Sequence, residues 1–154
     1  MRRRSRAAVL PSLRLGAWRR RSLYALVGIL AGSGALWLVV HARTEEGALP
    51  SPIEPWSMKW HGAAALLLIY LSGTMLFGHM LNAWRRRRNR SSGVAAAAVL
   101  FGLALSGYGL YYFGGEDLRL VTQWLHWALG AACVPLLAWH IALGRRTAQA
   151  QPEP

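Results

Sequence analysis

Five histidines carry the chemistry this sequence offers: His41, His61, His79, His126 and His140. His61 and His79 are 18 residues apart, five whole turns at about 3.6 residues per turn, so one face of a helix presents both. His126 and His140 are 14 residues apart, within about 40° of whole turns by the same geometry. Two helices would then each carry one imidazole toward each end. If the stripes face each other, two imidazole pairs form, one above the other. Two imidazoles opposed across a gap are the axial ligands of a six-coordinate b-type haem. A single interfacial histidine is unremarkable, but four in register on two helices are hard to dismiss, because ionisable groups inside spans are costly.

The residues between the histidines fit that chemistry. One stripe runs His61, Ala65, Leu68, Ser72, His79, and the other His126, Gly130, Cys133, Leu137, His140. Ala65, Ser72, Gly130 and Cys133 are small enough to clear a flat macrocycle. Small residues also let helices pack closely, which is the reading for Gly28-x-x-x-Gly32 and for Ala98, Gly102 and Ser106. Other metal chemistry fits less well. Zinc prefers four ligands close together, and His61 and His79 are separated by about 27 Å of helix rise. A di-iron centre needs inward carboxylates, and none lies in the apolar segments. The rise between His126 and His140 is about 21 Å, some 6 Å less than on the other helix. Helix tilt or a kink at Pro135 would absorb the difference. Either His61 or His41 is the outer partner of His126; the stripe shared with His79 favours His61. His41 is otherwise an interfacial residue or a quinone contact.

The elements that must position these rings are membrane spans. A bilayer core of about 30 Å needs about 20 apolar residues in a helix. Four stretches qualify: 22–41, 60–84, 94–113 and 121–143. In lipid the backbone must satisfy itself, so each is a helix. The expected fold is all-α, an integral membrane four-helix bundle. It divides into a basic cytoplasmic tail (1–21), a four-span domain (22–146) and a flexible C-terminal tail (147–154).

Composition agrees. The chain has 154 residues, 54% of them hydrophobic and 16% charged, where a soluble domain carries about 25% charged residues. The net charge of +12 sits in short blocks between apolar runs, which points to membrane topology and lipid rather than nucleic acid. The tail before residue 22 has eight arginines and no acid, and the loop after the second stretch adds five more. Glu45, Glu46 and Glu54 lie between the first two stretches, and Glu116 and Asp117 between the last two. The positive-inside rule gives N-in/C-in with two acidic loops outside. Cys133 is the single cysteine, so an intrachain disulfide is impossible, and Cys-x-x-Cys-His is absent. No Gly-rich phosphate loop follows a strand pattern.

The segments WHGAAALLLIYLSGTMLFGH and HWALGAACVPLLAWH give the chain a resemblance to bacterial membrane-bound b-type cytochromes of the cytochrome b561-like kind. In outline it is also similar to the membrane cytochrome subunits of hydrogenases and formate dehydrogenases. The resemblance covers about residues 58–146. The first span carries no histidine at its cytoplasmic end, where the hydrogenase-type pattern has a ligand. The resemblance implies two haems b, stacked in a four-helix core of a respiratory electron-transport subunit in the bacterial inner membrane. Electrons would pass between a quinone pool and a periplasmic cytochrome c or a catalytic oxidoreductase subunit. The implied ligands are His61, His126, His79 and His140. Arg85, Arg86, Arg145 and Arg146 would meet the propionates of the inner haem, and Lys59 and Arg119 those of the outer. The acidic outer loops would dock the redox partner. The competing classes are a haem-free membrane anchor and a small transporter.

Overall fold

The computed structural model describes residues 15–44, 49 and 51–149. Among them are four helices long and apolar enough to cross a membrane, and no strand. They are α1 (Ala17–Arg43), α2 (Ile53–Arg85), α3 (Arg90–Tyr112) and α4 (Glu116–Gln149). The chain is a multi-pass membrane protein. Its surface is apolar along the spans: Leu66, Tyr70, Phe101, Val121 and Trp124 are all exposed, as a lipid-facing surface requires.

The helices run past their apolar bodies, because hydropathy marks the part in hydrocarbon and not the polar turns at either end. α2 begins at Ile53 rather than residue 60, with Pro52 before it and Pro55 in its first turn, where a proline costs no helical hydrogen bond. α4 begins at Glu116 and carries Glu116 and Asp117 in its first turn, where carboxylates complement the helix dipole. The turn before it uses Gly115 at φ +89°, a conformation open to glycine. α4 continues to Gln149, so the expected boundary at 146 falls inside a helix; residues 150–154 lie outside the described residues. At the other end, Arg19, Arg20 and Arg21 belong to α1, whereas residues 1–14 of the basic tail lie outside the described residues.

α2 changes character at its inner end. Leu76–Leu81 form a π-helical turn that contains His79. The 18-residue interval from His61 to His79 is therefore not uniform α-helix, contrary to the five-turn expectation. A π turn fits an extra residue into the same helical length. It removes about one 1.5 Å step from the interval, part of the excess over the interval on α4. Pro135 sits inside α4, which stays helical through it.

α1 packs along α2 and α3 along α4, and the two hairpins meet chiefly where α1 touches α4. Trp37 of α1 lies 6.4 Å from Trp127 of α4 between ring centroids. The backbones of α2 and α4 do not run in close contact. Among the described residues few apolar side chains are buried: Ala64, Leu68, Leu71 and Met75 on α2, Ala96 on α3 and Cys133 on α4. The α2–α3 turn is tied to the end of α4. Arg88 donates to the Thr147 carbonyl at 2.8 Å, and Asn89 to the Thr147 hydroxyl at 3.2 Å. That tie sets the ends of α2 and α4 at one level.

Candidate functional site: two imidazole pairs between the hairpins

The gap between α2 and α4 is bridged by histidines. His61 and His126 face each other toward one end, with ring centroids 6.2 Å apart and planes at 63°. His79 and His140 do the same toward the end that carries the α2–α3 turn, at 6.4 Å and 88°. All four are half-buried, as are Ala65, Ser72, Gly130 and Leu137 between them. A Cβ added to Gly130 would meet nothing within 4 Å, so this partly buried position borders open space.

The other helix of each hairpin, α1 or α3, supplies hydrogen-bond partners. Ser33 Oγ of α1 lies 3.0 Å from His61 Nδ1. Ser106 Oγ and Ser92 Oγ, both of α3, lie 2.9 Å from His126 Nδ1 and His140 Nδ1. Ser92 is completely buried. Each serine precedes a glycine. A Cβ at Gly34 would stand 3.4 Å from His61 Cε1, one at Gly107 3.5 Å from His126 Cε1, and one at Gly93 3.7 Å from His140 Cε1. A methyl at each of these positions would just touch the ring, and anything larger would meet it.

Ser33, Ser92 and their glycines are the residues that sequence reasoning missed, and Ser106 had only a packing role. A signal was present: Ser92-Gly93 and Ser106-Gly107 are 14 residues apart, the interval between His126 and His140. On antiparallel neighbouring helices equal intervals place partners at equal levels.

His41 does not stand opposite His126, where His61 is instead. It stacks on Trp37, with centroids 4.5 Å apart and planes at 13°. Its Nδ1 lies 3.3 Å from Glu54 Oε2, and the Thr44 hydroxyl donates to Glu54 Oε1 at 3.3 Å. Glu54 is 9% exposed and lies in α2. It is therefore not a loop acid presented to a partner; Glu45 and Glu46 lie outside the described residues. Arg119 is exposed in the first turn of α4, and Arg85, Arg145 and Arg146 are exposed near the C-terminal ends of α2 and α4. Lys59 Nζ sits 4.5 Å from the centre of the Trp56 ring.

Among the described residues no three His, Cys, Asp or Glu side chains gather closely enough to hold a bare metal ion. Each site offers two imidazoles and nothing more. That donor set suits a metal whose other ligands come from a macrocycle. The separation suits it too: with metal–nitrogen bonds of about 2 Å, and ring centroids about 1.1 Å behind the bonding nitrogens, two imidazoles on one metal stand about 6 Å apart. No protein family, curated protein or solved structure matches the chain.

Proposed function

We propose that the chain is a transmembrane electron-transfer subunit that binds two b-type haems, one between His61 and His126 and one between His79 and His140. The observation that carries this reading is the duplicated pair: two facing imidazoles at each of two levels, 6.2 and 6.4 Å apart. A packing role for histidine gives no reason for the same separation twice. Haem held there by His61, His126, His79 and His140 would supply one-electron carriage.

The chain's own residues do the rest. α2 and α4 hold the imidazoles across the gap, and α1 and α3 brace them from behind. Small residues along the inner faces of α2 and α4 leave room for a planar ring. The apolar spans keep water from the pairs, and burial and hydrogen bonding around the ligands tune the potential. Arg85, Arg145 and Arg146 are exposed at the level of the inner pair's surface, where anionic propionates would seek cations; Arg119 serves the outer end.

In this reading the protein is a cytochrome b561-like subunit of the bacterial inner membrane, N-in/C-in. It carries electrons between a quinone pool and a periplasmic cytochrome c or a catalytic oxidoreductase subunit. Arginine blocks on one side and Glu116 and Asp117 on the other support the orientation. The test is the dithionite-reduced visible spectrum of the purified full-length protein with a pyridine haemochrome assay. Sharp α and β bands with about two haems per chain are expected. Protein from haem-replete cells that shows no such bands would leave a haem-free membrane anchor in its place.

A further inference from the structure

Three of the four paired histidines share one environment. A serine hydroxyl of the neighbouring helix meets Nδ1, and the glycine after that serine leaves room beside the ring for no more than a methyl. The hydroxyls are themselves engaged. Ser106 Oγ donates to the Gly102 carbonyl at 2.7 Å, Ser33 Oγ to that of Leu30 at 3.3 Å, and Ser92 Oγ to that of Asn89 at 3.2 Å. A serine has one proton to give and two lone pairs to accept with. Where the hydroxyl gives its proton to its own helix it accepts from the imidazole, and the ring proton is then on Nδ1. The nitrogen left with a lone pair is Nε2, and the partner of one ring nitrogen decides which nitrogen a metal takes.

We infer that Ser33, Ser106 and Ser92 are positioning residues that hold His61, His126 and His140 as Nδ1–H tautomers, with the following glycine seating each ring. The consequence for redox chemistry rests on the proposed function. Simple interhelical glue would ask only for a polar contact. It would not explain the same serine–glycine pair beside three of the four rings. An acceptor at Nδ1 makes the ligand more basic. Basic ligands favour the oxidised metal, so loss of the acceptor shifts the midpoint potential upward.

The experiment is a potentiometric titration of the full-length, haem-loaded protein, with the outer centre assigned from the His79→Ala variant. Ser106→Ala and Ser33→Ala are expected to raise the outer midpoint and leave the inner one in place. Ser92→Ala is expected to do the reverse, and Ser106→Thr, which keeps the hydroxyl, to restore the wild-type value. Haem is expected to be held about 10–100-fold less tightly in the alanine variants. Midpoints unmoved by all three alanines, or a threonine variant indistinguishable from the alanine one, would overturn the inference. A second measurement does not depend on haem. In haem-free wild-type protein, nitrogen-15 NMR should find the proton of His61, His126 and His140 on Nδ1; protons on Nε2 would overturn the assignment. A wild-type protein that never binds haem overturns the proposed function alone, and the NMR result then decides the serine assignment.

Discussion

At the scale of single residues, His41 and His61 are 20 positions apart in sequence and both lie toward the outer end. Only His61 stands opposite His126. His41 is engaged by Glu54 and Trp37, so His41→Ala should leave haem content unchanged in a haemochrome assay, whereas His61→Ala should lower it. Gly107 gives a graded test. A Cβ there would stand 3.5 Å from the His126 ring, an ordinary contact, so Gly107→Ala should keep the visible spectrum of the wild type. Gly107→Leu adds bulk the ring must yield to, and loss of about half the haem absorbance is expected. The histidine pairs were legible in the sequence because two spans each carry one histidine toward each end, although the π turn around His79 means that the 18-residue interval is not five whole α-helical turns. The serines were not. A hydroxyl that holds an imidazole and one that merely packs look the same until the neighbouring helix is known, and nothing in one sequence says which helices are neighbours.

At the scale of helices, hydropathy located all four spans but not their ends. Polar first turns such as that of α2 at Ile53–Trp56 have no apolar signal. The π turn around His79 was also illegible, since no residue type specifies it. The small-residue series divide in an unexpected way. Gly28 and Gly32 have nothing within 4 Å of an added Cβ, so they do not bring α1 against another helix of this chain. At Gly102 an added Cβ would come 2.9 Å from Leu129 Cδ1, which makes it a close approach between α3 and α4. Gly102→Val should therefore destabilise the protein by about 1–3 kcal/mol through overpacking. Gly28→Ala should change stability by no more than about 0.5 kcal/mol. Thermal unfolding of both variants in the same detergent compares them directly.

At the scale of the whole molecule, two helical hairpins stand side by side with imidazoles between them at two levels. The tie from Arg88 and Asn89 to Thr147 holds the inner ends of both hairpins together. In the proposed topology the arginine-rich ends are inside. A reporter active only outside the cytoplasm should be active when fused after Gly114 and inactive when fused after Arg88; the opposite pattern would invert the proposed topology.

The central claim is that each haem is shared between α2 and α4, and haem counting in paired histidine variants tests it most directly. His61→Ala, His126→Ala and the double variant His61→Ala/His126→Ala should each retain about one haem per chain, while His61→Ala/His79→Ala should retain none. A double variant at His61 and His126 that still carries two haems would contradict it.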